Sequence, residues 1–432
     1  MNSHLRFGLM VSFVVILSLL FSAVTPGVVF AEGEAPESPP LTEPPEEGQP
    51  AQDVSSAVED LAEQNAVVVQ DGNVLPMAAQ STLDVICEPD PWFYGALCPG
   101  GKCAGAYGYT TVNLALADWA SRKGYGMIFL EGGNVYNENV TIDGTQPGML
   151  TLKGLVIDNS LVTTAPVING QLTVTGLKSG FTLQGITINA NVADPTNVAG
   201  AVYIHDNIGL IKLTDVTVRN SNSQGGGIAI ENFGAVELLR VDSSDNGTYG
   251  AYVHNSINPF AENLSTGTVK ITNSSFNFNG AGGSGPFTGL EIYSGGSITL
   301  NGISGTENNG EGLDILGKTV ATIKNSVFSL NTVDPDNNEW GYGIYTYSQN
   351  QAAFVIDNVS ASYNENDGLF LTTPGNITIS NLQAVANGDT GLRIQALDDN
   401  LTSGKGGKNV ILTDSMLNSN GYTNVLVFAD GA

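Results

Sequence analysis

The chain has 432 residues, with 15 Lys and Arg against 42 Asp and Glu, a formal net charge of −27, 53 glycines and only 13% charged residues; an ordinary soluble domain carries about 25%. That balance excludes a basic nucleic-acid binder, and such a surface repels phosphate backbones and anionic lipid. Glycine at nearly twice its usual share of about 7% excludes a helix bundle and favours a turn-dense all-β chain.

Residues 1–31 read as a secretory leader. Arg6 precedes an apolar run from Leu9 to Val24, and Val29 and Ala31 set small residues before a cleavage point at Glu32. The run is short of the ~20 residues of a membrane span, and no second long apolar run follows, so the mature chain is expected to carry no transmembrane segment and to work secreted or at the cell surface. Residues 32–82, rich in Pro, Glu, Gln and Ala, read as an acidic disordered tether.

Residues 83–134 are expected to form an N-terminal capping region. It holds the three cysteines, Cys87, Cys98 and Cys103. One pair could close in an oxidising compartment, Cys98 with Cys103 or Cys87 with either, and three thiols without a nearby histidine make a poor zinc site. Thr111 is placed to cap a helix whose Val112, Ala115, Leu116 and Trp119 share one face, ended by Arg122, Lys123 and Gly124.

Residues 135–432 are governed by a repeat. Nine segments begin at Phe181, Ile211, Val236, Val269, Ile298, Ala321, Phe354, Ile377 and Val410, each with an aliphatic residue two places on. Ten places on stands asparagine, at Asn191, Asn246, Asn279, Asn308, Asn331, Asn364, Asn387 and Asn420, with Ser221 the exception. A small residue and a second short strand follow, as in GLEI from Gly289, GLDI from Gly312 and GLRI from Gly391. Strands this short are stable only when each pairs with its equivalent in the next unit at about 4.8 Å, which predicts a parallel β-helix with the asparagines as a structural ladder. Asparagine suits the corner because it tolerates the left-handed backbone conformation and because stacked amides bond to one another. A propeller or sandwich would need hairpin turns and repeats nearer ~40 residues, a calcium-bound repeat roll a Gly-Gly-x-Gly-x-Asp series, and leucine-rich repeats a Leu-x-x-Leu-x-Leu frame, neither of which is present.

The coils resemble the right-handed parallel β-helix repeat family, the pectin-lyase-like superfamily, over about residues 135–432. The segment from Tyr109 to Gly144 is similar to the opening of pectinesterase-like chains, and the resemblance implies an all-β solenoid whose helix covers one apolar end. At the other end, Val427 to Ala432 offer no polar capping repeat, which fits a piece of a longer surface protein or a last coil that pairs with a partner. The catalytic frames of the family are out of place. Asn331-Thr332-Val333-Asp334, Asp398-Asp399 and Arg393-Ile394-Gln395 stand where polygalacturonase motifs would be sought, without the Gly-His-Gly motif, and the Gly-Arg-Pro-Trp stretch of pectinesterases is absent.

Between inward apolar neighbours, the middle residue of the second strand points outward. Up the stack that position reads Tyr203, Ala229, Tyr252, Glu291, Asp314, Tyr345, Phe370, Arg393 and Leu426. Tyr252, Tyr345, Phe370, Arg393 and Trp340 are the expected sugar-binding residues, because sugar rings stack on aromatic faces. Glu291 and Asp314 fall on successive coils, about 5 Å apart, and are the candidate catalytic pair of a glycoside hydrolase or lyase; outward acids are more commonly plain solvated surface. No cofactor is fixed by a motif. Ca2+ is the ion that this pair, or the loop acids Asp334, Asp336 and Glu339 beside Trp340, have the chemistry to hold, although a solvated loop is the commoner meaning of such acids. His254 is expected as a solvated loop histidine. The sequence therefore points to an exported β-helix that binds a polysaccharide or cell-surface glycan by adhesion or as a scaffold, with a carbohydrate-active enzyme as the competing class.

Overall fold

The computed structural model describes residues 85–88, 107–109, 111–121, 127–144, 150–155, 164–191, 200–220, 222, 225–255, 267–280, 288–317, 320–333, 340–347, 353–396 and 409–429. The leader, the tether, Cys98, Cys103, Arg122 to Gly124, and Asp334, Asp336 and Glu339 lie outside them. The chain divides into two compact units, Met1–Leu75 and Pro76–Ala432, and every described residue belongs to the second.

Short strands alternate inward and outward residues, and each pairs in parallel with its equivalent one coil away. One aliphatic column runs Ile128, Leu152, Leu183, Leu213, Leu238, Ile271, Leu300, Ile323, Ile356, Ile379 and Leu412 in unbroken register. All of these except Leu412 are buried, so like stacks on like along a continuous apolar core. The opposite wall is an eleven-stranded parallel sheet running from Val140–Asp143 to Thr423–Ala429. In the last described coil, Leu412, Val425 and Val427 are 37%, 38% and 43% exposed although they face inward.

The stack opens earlier than the repeat alone indicates. Met127–Glu131 already pairs in parallel with Leu150–Leu155, and Val85–Glu88 lies antiparallel to Met127–Glu131 and to Tyr107–Tyr109. These first coils keep the inward aliphatics but lack the asparagine corner, so a pattern anchored on asparagine starts too late. Helix Val112–Ser121 packs Val112, Ala115, Leu116 and Trp119 into the core, the four residues expected to share a face. The Thr111 hydroxyl accepts from the Leu114 amide at 3.2 Å, and the Glu138 carboxylate accepts from the amides of Val112 and Asn113.

Two of the corners in each coil divide labour differently from the expectation. At the ladder corner, each asparagine accepts at Oδ1 from both the backbone N–H and the Nδ2 of the asparagine in the preceding coil. From Asn246 through Asn279, Asn308, Asn331, Asn364 and Asn387 to Asn420, these distances are 2.9–3.2 Å. The ladder asparagines themselves do not adopt the left-handed conformation. The residue before each does: Asp245, Phe278, Glu307, Leu330, Tyr363, Ala386 and Ser419 all have positive φ. A side chain there costs about 1–2 kcal/mol, so the twist is set by the turn and not by residue preference. Left-handed asparagines occur at the other corner, at Asn273, Asn325, Asn358 and Asn381.

Asn191 is a correction. It is exposed, and Ala190 is in register with Asn220. Asn220, not Ser221, heads the ladder, its N–H donating to Asn246 Oδ1 at 2.7 Å. The strand Ile211–Asn220 reaches its end without the left-handed residue that stands directly before the later members, so the asparagine comes one place sooner.

The small residue of the second strand answers to the same ladder. A Cβ on Gly250, Gly289, Gly312 or Gly343 would stand 2.6–2.7 Å from the Nδ2 of the ladder asparagine of the adjoining coil. Glycine is required there by close approach.

Candidate functional site on the outward face

The outward row predicted from the repeat is continuous. Tyr203, Ala229, Tyr252, Glu291, Asp314, Tyr345, Phe370, Arg393 and Leu426 pair one to the next in register along the eleven-stranded sheet. Eight coil steps of about 4.8 Å make it roughly 38 Å long. A second row, two residues further along each strand, brings His205, Glu231, His254 and Tyr293 beside it. Together they form two clusters.

The first cluster is a polar aromatic knot. Tyr252 stacks on His254 at 4.2 Å between ring centres, and His254 meets Tyr293 edge-on at 4.0 Å. The Tyr252 hydroxyl stands 3.0 Å from His254 Nδ1, while His254 Nε2 is buried without a hydrogen-bond partner. His254 is only 3% exposed; the solvated loop histidine expected from sequence is instead a packed one, held between the ring of Tyr252 on its own strand and that of Tyr293 on the next. Burial holds its imidazole down to about 3. Burial, with Glu291 and then Glu231 as the next largest influences, pushes the Tyr252 phenol well up, so its O–H donates to Nδ1. Glu291 and Asp314 lie side by side and both push the Tyr293 phenol up, after burial, with Glu291 also hydrogen-bonded to it. Two coils towards the N-terminus from His254, Tyr203 stacks on His205 at 4.4 Å, and on the coil between them burial raises the Glu231 carboxyl while His205 opposes it.

The second cluster is an aromatic platform. Trp340, half-exposed, stacks on Tyr342 at 6.3 Å. Tyr342 stacks on Tyr345 at 5.1 Å and 12°, and Phe370 meets Tyr345 edge-on at 5.5 Å. The Arg393 guanidinium lies 5.3 Å from the centre of the Phe370 ring, an attractive placement over a π face. It is pinned by two carboxylates, Asp367 at 3.1 Å and Asp389 at 2.9 Å. Asp367 is fully buried, and burial raises its carboxyl to about 6 against the pull of the Thr390 amide and Arg393.

The structure thus brings Glu291 and Asp314 together next to Tyr252, and Tyr345, Phe370, Arg393 and Trp340 together on the coils beyond. Among the described residues no group of three or more His, Cys, Asp or Glu side chains is placed to hold a metal ion. No helix among them is long and apolar enough to cross a membrane. Sequence reasoning missed Tyr293 and Tyr342 and misplaced His254. The signal for His254 and Tyr293 was present, since residues two places along a strand share its face.

The buried imidazole sets a pH dependence. An unfolded histidine takes up a proton near 6.5, whereas folded His254 stays neutral to about 3. Its contribution is complete above about pH 6.5 and is lost as the pH falls towards 3. Asp367 runs the other way: its raised carboxyl favours the fold below the unfolded value near 3.9, and that is lost as pH rises through about 6. His254→Gln should therefore lessen the drop in urea midpoint between about pH 6.5 and pH 4; an undiminished drop would show that His254 is protonated in the fold.

Residues 262–431 match the family described as "Right handed beta helix region". Among solved structures, the A-module of the mannuronan C-5 epimerase AlgE4 from Azotobacter vinelandii is 15% identical, with 73% of this chain and 93% of that chain covered at a TM-score of 0.42. The periplasmic alginate epimerase AlgG, as a mutant, is 11% identical, with 73% and 86% covered and a TM-score of 0.42. No curated protein matches the chain in sequence.

Proposed function

For a chain that is a right-handed parallel β-helix, we propose that the outward face of the eleven-stranded sheet is a binding track for a polysaccharide lying along the solenoid axis. The protein works outside the cytoplasm, as the leader pattern at residues 1–31 indicates. The observation that carries the reading is the aromatic platform, in which Tyr345 and Phe370 of the in-register row beside Arg393 are joined through buried Tyr342 to half-exposed Trp340. Planar rings with hydrogen-bonding groups at their edges take sugar rings by apolar contact and fix them by hydroxyl bonds. Affinity electrophoresis of the whole chain through gels holding different polysaccharides tests this. Retardation by at least one glycan is expected, and Trp340→Ala should weaken it about tenfold, the equivalent of about 1.4 kcal/mol. Unretarded migration in every gel would overturn the reading.

A second reading, a carbohydrate-active centre, is favoured by the juxtaposition of Glu291 and Asp314 with Tyr252, His254 and Tyr293. Against it stands the closure of the knot: Tyr252 and Glu291 are each 8% exposed and His254 less. Turnover of a bound polysaccharide that Glu291→Gln and Asp314→Asn abolish would establish it. Binding without products, in the wild type and in both variants, would leave the track as a holding surface.

A further inference from the structure

Beyond the platform, the same face carries a cleft of about 420 Å³ lined by Asp389, Arg393, Gln395, Tyr422, Leu426 and Phe428. We propose that this cleft is a subsite for an uncharged sugar, and that the track it belongs to selects neutral over acidic polysaccharides. The proposal rests on the reading of the face as a glycan track and names the class of glycan.

The size lies within the range of about 300–1,000 Å³ found for small-molecule sites, with room for a sugar ring. Its chemistry is that of hydroxyl recognition. Gln395 offers both a donor and an acceptor, Asp389 an acceptor and Arg393 donors. Tyr422, 75% exposed, and Phe428, 49% exposed, supply apolar faces at its rim. The register fixes this assembly: Arg393 pairs with Leu426 and Gln395 with Phe428 across the last two described coils.

Charge decides against an acidic sugar. Arg393, the one cation among the described residues that line the cleft, is already paired with both Asp367 and Asp389, so the guanidinium and its two carboxylates carry a net negative charge when both acids are ionised. A uronate carboxylate entering here would meet that charge and the field of a chain of net charge −27. Uncharged hydroxyls meet no such penalty.

The test is affinity electrophoresis and isothermal titration of the whole chain, with a chelator present, against neutral β-glucan, mannan and xylan and against alginate and polygalacturonate, at low and high salt. The expected result is binding of a neutral glycan that salt leaves unchanged, weakened about tenfold by Tyr422→Ala and by Gln395→Ala. Tyr422 is so exposed that its loss should not disturb the fold, and circular dichroism checks both variants. Binding confined to the acidic polymers would overturn the neutral class while leaving the glycan track standing. Neutral binding untouched by either variant would overturn the subsite. Absence of binding to every polymer would overturn the subsite and the track together.

Discussion

Asn364→Ala is expected to lower the unfolding free energy by about 3 kcal/mol, read as a fall in the urea midpoint at unchanged slope. Asn364 is 1% exposed. Its Oδ1 accepts from Asn331 N at 3.1 Å and Asn331 Nδ2 at 2.9 Å, and its Nδ2 donates to Phe328 O and Asn387 Oδ1, each at 3.1 Å. Alanine removes all four bonds and strands the Asn331 amide N–H in a site water cannot enter. Each buried group so orphaned costs about 1–3 kcal/mol. Asn191→Ala, at the exposed position that only the sequence pattern placed in the ladder, should change stability by under about 0.5 kcal/mol. Equal effects of the two substitutions would refute the ladder as the source of the difference. Asn364→Asp offers an internal check, because protonation returns one donor and should recover part of the lost stability as the pH falls.

Gly312→Ala should destabilise by a comparable amount, about 3 kcal/mol, or prevent folding altogether. The added Cβ would lie 2.5 Å from Gly305 O, 2.7 Å from Asn331 Nδ2 and 2.8 Å from Gly343 O. Backbone movement is resisted on the C-terminal side of the stack, since the N–H groups of Gly312 and Leu313 donate to Tyr342 O and Gly343 O. Overpacking of this kind costs about 1–3 kcal/mol even where neighbours can give. The effect should reach the site as well. Asp314 follows two residues on, and a shift there breaks its register with Glu291 and Tyr345. A midpoint within error of the wild type would mean that the coils are not packed this closely.

Much of this fold could be read directly from residue order because a solenoid repeats its local chemistry. Leu238, Ile271 and Leu300 occupy equal places in successive segments, and equal places become neighbours. The outward row followed for the same reason, so Glu291 next to Asp314 and Tyr345 next to Phe370 needed only the period and the alternation of a strand. Reading failed where the count of residues changed within a coil. Asn191 and Ser221 were aligned by number, whereas hydrogen bonding selects Asn220, because the left-handed residue that precedes Asn246 has no counterpart before Asn220.

The sequence alone determined the winding of the chain, the inward aliphatic column, the glycine positions, the ladder asparagines from Asn246 onward and the identity of the row that faces outward, since each depends on contacts between residues one period apart. Only the tertiary structure decided what those outward side chains are. It buried His254 under Tyr252 and Tyr293, closed two carboxylates on Arg393, and joined Trp340 to Tyr342 and Tyr345. Ring contacts, burial and the net charge of a cleft arise from side chains of different strands and corners meeting across coils, and no period along the chain encodes their geometry.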